Sequence, residues 1–161
     1  MPWGIFIPAD EAKVIEFRLF GQFTDYQEAV GGVFEAINLS DPAASFFVNE
    51  EGKLLALPLN RRATLFWWIN ERRMRERDAI MGDVVLIGLP DDEGDTQDVP
   101  GDLVTLLMKH DLFKYEVETI EKEGKWYGNQ TRFDNYFEAC NAALALLTRW
   151  TLANDVRVLT A

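Results

Sequence analysis

Val84-Val85-Leu86-Ile87-Gly88-Leu89 is an unbroken apolar run of the length of a buried strand. Shorter runs of similar character surround it. Residues 3–8 and 14–20 combine β-branched and aromatic side chains, and Ala9-Asp10-Glu11-Ala12 between them reads as a turn, so a hairpin is predicted. Asp25 and Glu28 have the spacing of a capping box, and Gly31-Gly32 can take the left-handed conformation that ends a helix, which predicts a short helix over 25–30 and a returning strand over 33–39. A second hairpin is expected with strands at Phe46-Phe47-Val48 and Leu54-Leu55-Ala56-Leu57 around Asn49-Glu50-Glu51-Gly52-Lys53. Asn60 is placed to cap a helix over 61–77, which Met81-Gly82-Asp83 closes.

After the apolar run, residues 91–100 hold Asp91, Asp92, Glu93, Asp95 and Asp98 without one base and read as a solvated loop. A short helix over 102–110 follows, then a hairpin of residues 115–121 and 126–127 around Lys122-Glu123-Gly124-Lys125. Asn135 with Glu138 opens a long helix to about residue 153, and residues 156–159 end the chain as a strand. Strands and helices are mixed, with several hairpins. The expectation is an α+β fold on a mainly antiparallel sheet, with a central Trp/Arg-rich helix and a long C-terminal helix. The chain divides on this reading into an α+β domain over 1–100 and an extension over 101–161, either packed on it or forming a small subdomain.

The 161 residues carry 16 Lys and Arg against 27 Asp and Glu, a formal net charge of −11. Affinity for phosphates needs a basic footprint, so direct nucleic-acid binding is disfavoured. Excess negative charge keeps a protein soluble and speeds its encounter with a basic partner. The sign is segregated. Residues 52–90 hold seven bases against four acids, for +3, whereas residues 1–51 and 91–161 carry −7 each. One cysteine, Cys140, cannot form an internal disulfide, and the N-terminal MPWGIFIPAD lacks a basic start followed by a long apolar stretch. A cytoplasmic location without a membrane span is expected.

At Val48-Asn49-Glu50-Glu51-Gly52-Lys53-Leu54, Leu57-Pro58-Leu59-Asn60-Arg61-Arg62-Ala63-Thr64 and Gly82-Asp83-Val84-Val85-Leu86-Ile87-Gly88 the chain resembles an uncharacterised domain family. Its members are small proteins of actinobacteria, their plasmids and their bacteriophages. The resemblance covers roughly the first 90 to 100 residues. It implies no activity. It does imply a mobile-element or phage setting, in which small acidic proteins act by binding host proteins or defence components, here in the host cytoplasm.

No arrangement of residues points to catalysis or to a metal. One His and one Cys exclude a structural zinc site, and the loop at Asp91-Asp92-Glu93-Gly94-Asp95 lacks the glycine placement and glutamate of an EF-hand. Neither a dinucleotide nor a P-loop glycine motif occurs, so no cofactor is expected. Cys140 falls at the helical angle of Tyr136, Ala143 and Leu147, which predicts a small buried residue rather than a nucleophile paired with His110.

Two segments stand out as candidate binding residues. In Leu65-Phe66-Trp67-Trp68-Ile69 the three aromatics spread over about 200° of helix, so no single face buries them all. Either the helix is enclosed on several sides or an aromatic remains for a partner. Trp67 and Trp68, followed by Arg72 and Arg73, have the composition of an interface hot spot, for a host or defence protein or for a second copy of the chain. The other segment is Asn60, Arg61 and Arg62. With the free amides of the first helical turn they could hold a phosphate or carboxylate, or the arginines could pair with Glu50, Glu51 or other acids of the chain. The leading expectation is a non-enzymatic phage or mobile-element accessory protein that modulates a host or defence protein, by acidic mimicry of nucleic acid. The alternatives are a protein that sequesters a nucleotide-like anion, and an unrecognised enzyme.

Overall fold

The apolar run at 84–89 becomes strand β5 (Val84–Gly88), buried along its whole length at the centre of a five-stranded sheet. The computed structural model describes residues 1–109 and 111–161. Around β5 lie β1 (Trp3–Ile7), β2 (Glu16–Leu19), β3 (Phe34–Ser40) and β4 (Ala43–Asn49), in the order β2-β1-β5-β4-β3 with every neighbour antiparallel. A strand flanked on both edges and covered on both faces needs apolar side chains at successive positions, which is what its sequence supplies. Val85 and Ile87 join Phe6, Phe20 and Tyr26 in one core cluster. On the opposite face the register aligns Ile5, Leu86 and Phe46, all sealed from solvent.

The chain forms two compact units. The first is Met1–Thr64 with Glu76–Met108, and the second is Leu65–Arg75 with Lys109–Ala161. In the first unit helix α1 (Phe23–Val30) starts earlier than the capping-box spacing predicts. Gln22 is the N-cap residue, and Asp25 sits one turn in, where its Oδ2 accepts the amides of Gly21 at 2.7 Å and Gln22 at 2.9 Å. Gly31 ends the helix at φ +80°, a conformation only glycine adopts without strain. Helix α3 (Gly101–Met108) also belongs to this unit.

The hairpin expected at 46–57 does not form. β4 has its two edges taken by β3 and β5, so residues 54–57 find no strand to pair with and fold into tight turns. Leu55 N–H donates to Glu51 O and Leu57 N–H to Gly52 O, leaving Leu54 82% exposed. The true hairpin is β3–β4, closed at Asp41-Pro42.

Helix α2 (Arg61–Asn70) is shorter than the 61–77 expected. A 3-10 turn (Arg72–Met74) follows it, and the Arg75 guanidinium folds back so that Nε donates to Trp68 O at 2.6 Å and a terminal nitrogen to Ile69 O at 3.2 Å. A cation over the last carbonyls of a helix satisfies orphan acceptors and complements the dipole. The arginine run therefore stops a helix instead of extending it.

The second unit holds strands β6 (Phe113–Thr119), β7 (Trp126–Gly128) and β8 (Ala153–Thr160), ordered β7-β6-β8 and antiparallel, with helix α4 (Tyr136–Arg149). Asn135 caps α4 through its Oδ1, which accepts from Phe137 N at 2.8 Å and Glu138 N at 3.2 Å. Phe113 of β6 meets Tyr136 of α4 edge to face at 5.7 Å. The molecule is α+β with antiparallel sheets and a C-terminal helix followed by a strand. No helix among the described residues is long and apolar enough to cross a membrane.

Candidate functional site

Asn60, Arg61 and Arg62 sit at the start of α2, and their polar groups turn into the first unit. The Asn60 side chain is fully buried. Its Nδ2 donates to Ile7 O and Gly82 O, both at 2.9 Å, and its Oδ1 accepts from Ala63 N at 3.0 Å, so both amide hydrogens and the oxygen are used. Arg62 is 8% exposed and donates to Pro8 O at 2.8 Å and Asp10 O at 3.2 Å. Burial pulls its guanidinium below the usual value, while the charges of Glu11, Asp10 and Asp83 oppose that shift. Arg61 pairs with Glu11 at 3.0 Å. Of the two readings open for these residues, the arrangement matches pairing with the chain's own groups. It clamps the segment after β1 to the head of α2.

Trp67 and Trp68 lie in the second unit with Arg72 and Arg73. Phe66 is fully buried, Trp67 is 5% exposed and Trp68 is half-buried, so α2 is enclosed on several sides and offers no indole pair to a partner. Arg72 donates to Asn154 Oδ1 at 3.0 Å. Arg73 stays in solvent beside Glu71, at 3.1 Å. The residue that sequence reasoning missed here is Arg75, whose other terminal nitrogen pairs with Asp155 at 2.8 Å. Its only signal was membership of the arginine run.

Cys140 is fully buried on the inner face of α4, and burial pushes its thiol up to about 12. The Tyr136 phenol beside it is raised well above its usual value, first by burial and then by Cys140. A thiol held protonated at neutral pH is a packing group. His110, its conceivable partner, lies outside the described residues. No group of three or more His, Cys, Asp or Glu able to hold a metal occurs among the described residues.

What remains as a functional feature is electrostatic. The first unit contains eighteen acidic and six basic residues, net −12, and the second nine acidic and ten basic, net +1. Within the first unit Lys13, Lys53, Arg61, Arg62 and Arg77 lie toward the end where β5 begins, intermixed with Asp10, Glu11, Glu50, Glu51, Asp78 and Asp83. At the other end β5 finishes beside the β3–β4 turn, because Ala44 is paired with Gly88. That end gathers Asp41, Asp91, Asp92, Glu93, Asp95 and Asp98, all exposed. The loop is held by its own bonds: Asp91 Oδ1 accepts from Glu93 N at 3.0 Å and Asp95 N at 2.9 Å, and Asp98 Oδ1 from Trp3 N at 2.8 Å. The acidic loop was legible in sequence, whereas Asp41 beside it required the sheet order.

No curated protein and no solved structure matches the chain. Residues 4–112 match the family described as Domain of unknown function (DUF3846), a span that runs from β1 through α3. That match covers more than half of the sequence and takes in all of the acidic sheet but Trp3, so the chain belongs to the DUF3846 family of unknown function.

Proposed function

We propose that this is a non-enzymatic accessory protein of a phage or other mobile element that binds a basic surface on a host or defence protein, presenting negative charge as a nucleic acid does. The observation that carries this reading is the partition of charge between the units, −12 against +1. Charge spread only for solubility has no reason to collect in one unit. A field of one sign steers a basic partner and raises its association rate. Arg18, Lys53, Arg61 and Arg62 each bond to a group of this unit, and its excess of carboxylates over cations remains. Anion sequestration at Asn60, Arg61 and Arg62 has less support, because the Asn60 amide, an Arg62 terminal nitrogen and Arg61 already bond to carbonyls and to Glu11, and of the site's buried side-chain nitrogens only Arg62 Nε lacks a partner among the described residues.

The test is affinity purification with mass spectrometry from the native host, at low and at raised salt. It compares the protein with a variant carrying Asp92→Asn, Glu93→Gln and Asp95→Asn. A basic partner recovered at low salt, lost at high salt and depleted in the variant is the expected result. Recovery of nothing above background at low salt, or of one set of proteins indifferent to both salt and charge, removes the proposal.

A further inference from the structure

The two edges of the five-stranded sheet are built differently. β2 is four residues long and carries the Arg18–Glu16 ion pair, with the Arg18 guanidinium 4.0 Å over the Phe6 ring. Short length and charge are the usual protections of an edge strand. β3 is seven residues long, Phe34–Ser40, and contains neither lysine nor proline. The bond from Glu50 N to Val33 O fixes the phase of its ladder, so Glu35, Ile37 and Leu39 bond inward to β4. The backbone N–H and C=O of Phe34, Ala36 and Asn38 then point outward. Ala36 and Asn38 are exposed, and no backbone bond reaches them from that side among the described residues.

Beside this edge, on the face that carries Glu35 and Ile37, lies a cavity of about 100 Å³. Ile37, Val48 and Ile80 form its apolar wall, and Glu35, Glu50, Asp78 and Lys53 its charged rim, acidic in balance. Asp78 is paired with Lys53. Glu35 and Glu50 have no cation within ion-pair distance among the described residues. The volume suits one long side chain, with its methylenes against the wall and a cationic head at the carboxylates.

We infer that β3 accepts an extended basic segment of a partner protein as a sixth, antiparallel strand, and that a Lys or Arg of this segment, opposite Ile37, enters the cavity between Glu35 and Glu50. The inference rests on the proposed role of the acidic unit and names its docking edge. Backbone bonds to Ala36 and Asn38 give affinity, and the alternate side chains that meet the Glu35 and Ile37 face give the preference for cations. Charge also decides against a second copy of the chain, since edge-to-edge pairing sets two units of −12 side by side.

The test titrates the isotope-labelled full chain with synthetic peptides the length of β3, alternating Lys with Thr or Val, and follows amide NMR shifts. Shifts confined to residues 33–40 and 48–53 are expected. A peptide of equal charge N-methylated on alternate amides, and separately Ala36→Pro, should each weaken binding about tenfold or more; the latter removes an outward N–H that β4 does not use. Glu35→Gln with Glu50→Gln should cost a similar factor while Thr-only peptides stay weak. Because N-methylation changes only the peptide, it tests the inference even if Ala36→Pro fails to fold. Shifts centred on residues 91–98, insensitive to N-methylation, overturn strand addition and leave the acidic-unit reading standing. Self-association abolished by Ala36→Pro overturns the choice of partner. No shift at low salt by any peptide overturns the inference, and with an empty affinity purification it removes both.

Discussion

The side-chain amide of Asn60 donates to the carbonyl of Ile7 at 2.9 Å, across 53 residues of sequence. The same nitrogen reaches Gly82 O, and the oxygen caps α2 at Ala63 N. One buried carboxamide thus fixes the end of β1, the turn before β5 and the first turn of α2.

Asn60→Ala removes all three bonds and strands two carbonyls and an amide in a site without water access. The expected loss is about 3 kcal/mol, the sum of a lost cap and unsatisfied buried groups. Asn60→Asp keeps the cap but aims a carboxylate at two carbonyl oxygens, so it should do no better. Urea unfolding of both variants, read as a fall in midpoint at constant slope, checks this.

Arg75→Ala removes donors to Trp68 O and Ile69 O and the partner of Asp155. The side chain is only 12% exposed, so the stranded groups are shielded and the expected cost is about 2 kcal/mol. Arg75→Lys recovers little, since an ammonium cannot span three acceptors from that position. By contrast Arg73→Ala, exposed and paired among the described residues with Glu71 alone, should change stability by about 0.5 kcal/mol or less. Amide exchange at residues 67–71 distinguishes the pair: it accelerates in the first and not in the second.

The contrast between these arginines shows where the sequence stops being informative. β5, the first hairpin, α4 with its Asn135 cap and the loop at 91–100 follow from local pattern, because an apolar run, a turn or a cap residue acts over a few positions. The 54–57 segment has strand composition, yet strand formation needs a free edge, and sheet order decides which edges are free. Likewise Arg61, Arg62, Arg72 and Arg75 look alike in sequence. Their partners, Glu11, Pro8, Asn154 and Asp155, lie roughly 50 to 80 residues away, so only the fold separates a clamp from a contact surface. The asymmetry of the acidic unit was hidden for the same reason. Residues 65–75 take three arginines into the other unit, and a linear charge count assigns them to the middle of the chain.

Tyr26 and Cys140 make stability depend on alkaline pH. Burial, aided by Asp25, raises the Tyr26 phenol from 10.0 to about 12, and burial raises the Cys140 thiol from 9.0 to about 12. The folded state therefore keeps protons that the unfolded chain releases. Stability from these groups is complete below pH 9 and declines as pH climbs toward 12, since the unfolded state binds fewer protons there. Cys140→Ala should flatten the early part of that decline, and Tyr26→Phe the later part. The Tyr26 hydroxyl is also buried without a hydrogen-bond partner among the described residues. Its removal should leave stability at neutral pH unchanged or raise it by up to about 1 kcal/mol, in spite of the tight aromatic packing on Phe20 and Phe47. Unfolding midpoints measured from pH 7 to 11 test both.

Gly88 is where the acidic loop is attached to the sheet. Its N–H donates to Gln97 O at 3.0 Å, and a Cβ placed there would stand 2.3 Å from Asp98 O and 2.8 Å from Gln97 O. Those atoms are backbone, so no rotamer change relieves the overlap. The returning segment must move away, breaking the Gly88 bond and disturbing the bonds of Trp3 to Asp98 and Val99. Gly88→Ala is expected to cost about 2–3 kcal/mol, the range for overpacking a rigid site. Gly101→Ala is the matched control, because nothing lies within 4 Å of its Cβ at the start of α3 and alanine favours a helix. The first variant should unfold at lower urea and lose amide protection at Gly88 and Val99, while the second keeps both. Equal behaviour of the two would mean that the loop is not seated on β5 as described, and the acidic end of the sheet would lose its architecture.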